Sequence, residues 1–158
     1  MSWIKGIFDF FCSERLTLDE RDMSDGTTKE SISDYQLVGG AEGVRALVER
    51  FYQIMDETPA YRALREMHAA DLDAACEDLI GFLGVWLGGP RVWLERRGGF
   101  CLMSRHASMG IGANTAGQWL AAMREALDGT IQDQPLREKM LQVFTRLTEA
   151  MARSGGAA

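Results

Sequence analysis

Apolar residues recur at helical spacing over most of this chain, and this periodicity limits the folds open to it more than any other feature. From residue 34 onward, successive segments place apolar side chains three and four positions apart, along one face of a helix. No segment alternates apolar and polar residues with turn signals at strand spacing, so we expect an all-α fold of about five helices. The first apolar stripe consists of Val44, Leu47, Val48, Phe51, Tyr52 and Met55.

Glycine and proline clusters separate the apolar stripes and predict where the helices end. Gly88, Gly89 and Pro90 end the stripe that begins at Leu72, because proline cannot continue a helix. Asp71 or a neighbour is expected to cap the start of that helix. The pattern predicts a loop over residues 90–99, and further helices over residues 102–107, 116–127 and 136–152.

The composition changes near residue 34 and divides the chain into three parts. Residues 13–33 are polar and typical of a linker, and they follow a short apolar segment from Trp3 to Phe11. At helical spacing that segment suits docking on a partner, on the domain or on a membrane surface, and local packing is the simpler alternative. We expect an N-terminal extension over residues 1–33, one domain over residues 34–153 and a flexible tail over residues 154–158.

Charge and composition exclude several classes of protein. A formal net charge of −6 and a pI near 4.9 argue against a nucleic-acid surface, which needs clustered Lys and Arg. No apolar run is long enough to span a bilayer, and the first residues lack the cleavage site of a secretory signal. Cys12, Cys76 and Cys101 have no metal-binding or haem-attachment spacing, so we expect reduced thiols and a cytoplasmic protein.

Few polar groups that could bind a metal or take part in catalysis lie on the apolar faces of the predicted helices. The chain has two histidines, and His106 lies on a short helical piece between two glycine-bearing loops. Taken alone, such a histidine is more often structural than a ligand, and Tyr52 and Trp119 are likewise more often core residues. No phosphate-binding loop follows a strand, and no Ser or Cys has a general base beside it in sequence, so nucleotide-binding and hydrolase functions are poorly supported.

Five segments, in this order, resemble the group II truncated haemoglobins, which are bacterial globins with a two-over-two α-helical sandwich. The resemblance extends over about residues 34–150 and includes the step of thirteen residues from His106 to Trp119. The segments are YQLVGGAEGVRALVERFYQIMD (35–56), LREMHAADL (64–72), FLGVWLGGPRVWLERRGG (82–99), SRH (104–106) and QWLAAM (118–123).

This resemblance implies haem b as cofactor, with His106 as the proximal ligand of the iron. On the opposite, distal side it implies hydrogen-bond donors to bound dioxygen from Tyr52, His68 and Trp119. Arginines are implied at the haem propionates, where charge-assisted bonds to carboxylates are favourable. The implied pocket residues are Ala75, Leu79, Phe82, Leu83, Trp93, Arg97, Arg105 and Met109.

Three departures from the family pattern lie around His106, at residues 99–100, 107–109 and 114–117.

The first hypothesis for the function is a globin, monomeric or homodimeric, that binds dioxygen, nitric oxide or peroxide and favours redox chemistry over bulk oxygen transport. Under this hypothesis, the chain could act as a nitric oxide dioxygenase or a peroxidase, with a reductase as partner. A haemless or weakly haem-binding sensor or docking module is the alternative, and haem-based sensing with residues 1–12 as the output contact is a third.

Overall fold

The computed structural model describes residues 32–98 and 101–155, and within them it contains helices and no strand, which confirms the all-α prediction. No helix in these ranges is both long enough and apolar enough to cross a membrane. The helices are α1 (Asp34–Val38), α2 (Gly40–Glu57), a 3₁₀ turn (Pro59–Tyr61), α3 (Arg62–Glu66), α4 (Asp73–Trp86), α5 (Val92–Arg96), α6 (Leu102–His106), α7 (Ala113–Thr130) and α8 (Gln134–Gly155).

Local sequence signals explain how α1 begins and ends, and how α2 begins. Ser33 caps α1 by accepting a hydrogen bond from the Gln36 amide, and the Gln36 side chain accepts from the Ser33 amide in return. Gly39 then ends α1 with φ of 102°, a conformation that favours glycine. Gly43 lets α2 approach this turn, since a Cβ there would lie 1.9 Å from the Val38 carbonyl oxygen.

The core forms where α2 packs against α4 and α7, and where α7 packs against α8. Every residue of the first predicted stripe is buried, so the stripe is confirmed as the core face of α2. Burying one large apolar side chain stabilises the fold by about 1.5–3 kcal/mol, which makes this layer the main source of stability. The largest fully buried side chains include Phe51, Leu47, Met55, Leu83, Met123, Leu127 and Met140.

The structure corrects the predicted loop over residues 90–99, because residues 92–96 form α5. Tertiary packing accounts for this helix: the Trp93 ring lies against α4 at Gly81, where a Cβ would be 2.1 Å from the ring. Leu72 occupies the N-cap position of α4 and makes no side-chain cap, but Asp71 beside it accepts a hydrogen bond from the Asp73 amide.

Helix α8 runs three residues further than its apolar pattern indicated, so residues 154 and 155 of the predicted tail are helical. Gly155 packs closely on the segment after α6, since a Cβ there would lie 2.4 Å from the Ile111 carbonyl oxygen. Residues 1–31 of the predicted extension, residues 99–100 of the predicted loop and residues 156–158 of the predicted tail lie outside the described residues.

Candidate haem-binding site

His106 lies at the end of α6, and its ring is held by a carbonyl one turn earlier. The Nδ1 atom is 2.8 Å from the Leu102 carbonyl oxygen. Since a carbonyl can only accept, Nδ1 carries the proton and Nε2 of the neutral ring keeps its lone pair. Leu102 is buried in the core, while His106 is half-buried, so the ring is oriented from the core side. A histidine that ligates a metal through one nitrogen uses this second-nitrogen bond to fix its orientation.

The predicted distal residues Tyr52, His68 and Ala75 come together where α2, the segment after α3, and α4 meet. The Tyr52 hydroxyl donates to the Ala75 carbonyl oxygen at 3.3 Å, and the Tyr52 and His68 rings stand edge to face with centroids 5.8 Å apart. Burial raises the pKa of the Tyr52 hydroxyl, and the neighbouring Cys76 raises it further. The hydroxyl therefore keeps its proton at physiological pH and remains a donor.

His68 is anchored in the same way as His106. Its Nδ1 atom lies 3.0 Å from the Leu64 carbonyl oxygen, so Nδ1 carries the proton when the ring is neutral. The remaining nitrogen, Nε2, then accepts hydrogen bonds and does not donate them. His68 was expected to donate a hydrogen bond to the bound ligand. With Nδ1 facing the Leu64 carbonyl, Nε2 could donate only if both ring nitrogens carried a proton. Sequence alone gave no signal of it, because the tautomer depends on which carbonyl the ring meets.

Trp119 joins the distal group through the core. Its ring lies 5.3 Å from that of Phe51, whose own centroid is 5.0 Å from that of Tyr52. On its other side, Trp119 meets Phe144 edge to face at 5.4 Å. Trp119 itself is only partly buried, so its indole is held by neighbouring rings and remains partly accessible.

Four apolar residues of the predicted pocket lie on one face of α4. Phe82 and Leu83 are buried, whereas Ala75 and Leu79 pack on the core and remain partly exposed. Met109 does not lie with them: it follows α6, the residue is 50% exposed, and its amide donates to the His106 carbonyl oxygen at 3.1 Å.

A charged cluster links α4 to α5 and α6. The Asp78 carboxylate pairs with Arg97, and its other oxygen lies 3.7 Å from a guanidinium nitrogen of Arg105. The Arg97 guanidinium also lies 4.9 Å from the ring centroid of Trp93. The structure thus unites three of the predicted residues and adds Asp78, which sequence reasoning missed because its partners are distant along the chain.

Cys76, one of the cysteines predicted to be reduced thiols, follows Ala75 on α4 and is partly buried. Burial raises the pKa of this thiol, and the carboxylates of Glu49 and Glu77 raise it further. The thiol is therefore protonated at physiological pH, which disfavours the nucleophilic thiolate form.

These residues fit a haem group. Haem iron needs one protein nitrogen because the porphyrin supplies four, and His106 Nε2 provides a neutral lone pair. Partly exposed apolar side chains such as Leu79 and Trp119 suit a flat apolar ring, and Arg97 and Arg105 suit its carboxylates. Within the described residues, no three His, Cys, Asp or Glu side chains cluster as they would to hold a metal ion by themselves.

Comparisons with known proteins identify the family of this chain. A family model described as bacterial-like globin matches residues 33–153. The group 2 truncated haemoglobin YjbI of Bacillus subtilis is 30% identical over 99 residues, which are 63% of this chain and 73% of that protein.

Two solved structures share the fold. A group II two-on-two haemoglobin from the plant pathogen Agrobacterium tumefaciens is 36% identical with a TM-score of 0.75, over 79% of this chain and 97% of that one. A cold-adapted truncated haemoglobin from the Antarctic bacterium Pseudoalteromonas haloplanktis is 33% identical with a TM-score of 0.73, over 75% and 96% of the two chains. The chain therefore belongs to the bacterial-like globins and, within them, to the group II truncated haemoglobins with their two-over-two helical fold.

Proposed function

We propose that this chain binds haem b through His106 Nε2 and that it thereby binds dioxygen and other small diatomic ligands. The observation that carries the proposal is the 2.8 Å contact between His106 Nδ1 and the Leu102 carbonyl oxygen. That contact commits the proton to one ring nitrogen and leaves the other available to a metal. Family membership supports the cofactor, since haem binding is expected of globins.

When bound, haem supplies an iron centre that binds diatomic gases and exchanges electrons. On the distal side, Tyr52 supplies a donor that keeps its proton, and its present 3.3 Å contact with Ala75 is long for a hydroxyl donor. Exchanging that weak contact for a ligand oxygen costs little. We assign Trp119 as a second donor through its indole N–H. Neutral His68, whose Nδ1 proton faces the Leu64 carbonyl, packs on the Tyr52 ring and leaves the Tyr52 hydroxyl proton free for the ligand.

The distal donors favour retention of a polar ligand over its release. Each hydrogen bond contributes about 1 kcal/mol, and more when the acceptor carries negative charge. Slow oxygen release suits oxygen, nitric oxide or peroxide redox chemistry better than bulk transport. The proposal therefore includes nitric oxide dioxygenase or peroxidase activity, a reductase as electron donor, and a cytoplasmic location for a monomer or homodimer.

A haemin titration followed by absorption tests the proposal directly. Wild type is compared with His106→Ala and with Ser104→Ala, a matched control that removes an exposed side chain from the same helix. We expect a saturable one-to-one Soret shift in wild type and in Ser104→Ala, and its loss or displacement in His106→Ala. Identical spectra for wild type and His106→Ala, or loss in His68→Ala instead, would show that the ligand is misassigned.

A further inference from the structure

Asp78 places a protein carboxylate between the two arginines that we assign to the haem carboxylates. We propose that Asp78 competes with the haem propionates for Arg97 and Arg105, and that this competition makes the chain release haem more readily. The inference rests on the proposed function, and it concerns a residue that the family resemblance does not assign. It predicts that haem binding by this chain is reversible under conditions where a tighter site would retain the cofactor.

The positions of the two arginines support this competition. Arg105 precedes His106 on α6, so its guanidinium is tied to the helix that carries the proposed ligand. Arg97 follows α5 and is restrained by stacking on Trp93, whose ring in turn lies against Gly81 on α4. Both cations thus approach α4 from different segments and meet one carboxylate.

The charge balance of the cluster sets the direction of the effect. Two guanidinium groups share one carboxylate, so the cluster has one positive charge in excess and can still attract an anion. A propionate that pairs with these arginines must displace Asp78 or share them with it, and the two carboxylates then repel each other. Among the described residues, no other carboxylate pairs with two arginines, so this arrangement is particular to the cluster of Asp78, Arg97 and Arg105.

Exposure of the three side chains limits the size of the effect. Side-chain exposure is 32% for Asp78, 34% for Arg97 and 56% for Arg105. Solvent screens such pairs, so replacing Asp78 by a neutral isostere should slow haemin release by about fivefold and not by orders of magnitude.

The test measures the rate at which haemin passes from this protein to an excess of apomyoglobin. Asp78→Asn is compared with wild type and with Glu77→Gln, which changes the same charge at the neighbouring residue of α4. Glu77 is a matched control because it also pairs with an arginine, Arg45 of α2, at 2.9 Å, yet lies outside the cluster. We expect slower haemin release in Asp78→Asn and a wild-type rate in Glu77→Gln.

Haemin dimethyl ester provides a second probe, because it has the same ring and iron but no free carboxylates. We expect wild type and Asp78→Asn to release the ester at the same rate, after circular dichroism has shown that the variant is folded. Equal slowing for haemin and its ester would contradict competition, and faster haemin loss in Asp78→Asn would make Asp78 a positioning residue for the arginines instead.

The two proposals fail in different ways. If wild type takes up neither haemin nor its ester, the proposed function is wrong and this inference falls with it. If wild type takes up haemin normally and Asp78→Asn releases it at the wild-type rate, only the inference about Asp78 is wrong.

Discussion

The distal and proximal sides of the proposed site are built from different kinds of structure. The distal side rests on α2, α4 and α7, where Tyr52 is buried and Trp119 is held between Phe51 and Phe144. The proximal side is the five-residue helix α6, in which Leu102 is the one buried side chain. Distal geometry is therefore fixed by the core, whereas His106 depends on one carbonyl contact, one buried anchor and the ion pair between Arg105 and Asp78.

This difference indicates where the chain can vary without unfolding. Among the departures from the family pattern, residues 107–109 follow α6 and are exposed, whereas residues 114–117 lie in the first turns of α7, where Ala116 is buried. On the distal side, a change at Tyr52 or Trp119 alters core packing as well as ligand chemistry. We expect stability to be governed by the distal half, and haem retention to be set by the proximal half.

The largest effect that tests this contrast is on stability. Phe51→Ala removes a fully buried ring that contacts both Tyr52 and Trp119, and we expect it to lower the free energy of unfolding by about 3–5 kcal/mol. Leu102→Ala removes the proximal anchor and should cost about 2 kcal/mol, at the low end for such truncations. Urea unfolding of the apo-protein measures both, with exposed Val92→Ala as control. Equal losses at positions 51 and 102 would contradict the contrast.

A smaller effect is expected on ligand release when one distal donor is removed without disturbing the core. Tyr52→Phe keeps the ring and deletes the hydroxyl, so oxygen release from the haem-loaded protein should accelerate by about fivefold, the equivalent of one hydrogen bond. Stopped-flow measurement of oxygen dissociation gives the rate. Tyr35→Phe, which removes a hydroxyl from α1, serves as control, and equal rates in all three proteins would exclude Tyr52 as a donor.

The smallest expected effect is on how stability depends on pH, and it comes from Tyr61, at the edge of the distal half. The Tyr61 hydroxyl donates to Glu125 of α7, and this bond, with burial, raises the pKa of Tyr61 to about 12. Because the folded pKa exceeds the unfolded value, the hydroxyl stabilises the fold below about pH 10, and this stabilisation is lost as the pH rises towards 12. The stability of wild type should therefore fall more steeply over that range than that of Tyr61→Phe in urea unfolding. Parallel pH profiles would contradict this.

Local periodicity was sufficient to predict the fold of the distal half. The stripe of α2 and the face of α4 depend on spacing within one segment. The α2 stripe is buried as expected, and the α4 face packs on the core with Phe82 and Leu83 buried and its other residues partly exposed. Helix α5 was missed because it depends on Trp93 packing against Gly81, a contact between segments that Gly88, Gly89 and Pro90 separate. A breaker cluster in sequence does not exclude a helix that tertiary packing supports.

The candidate site could be predicted from family resemblance more than from pattern. Periodicity placed Tyr52 and Trp119 on apolar faces, but it did not show that the Phe51 ring lies against both of their rings. Asp78 escaped notice because a single acidic residue on a helix carries no signal until its partners are known. The hydrogen-bonding role of His68 was also hidden, since it depends on the Leu64 carbonyl.

The central claim is that His106 supplies the protein nitrogen for haem, and replacing its ring with an exogenous one tests it most directly. His106→Gly removes the imidazole and leaves room for a free one, so haemin is titrated into this variant with and without added imidazole. The account predicts that the wild-type Soret band is lost in His106→Gly and restored by imidazole. A wild-type band in His106→Gly without imidazole would contradict the account.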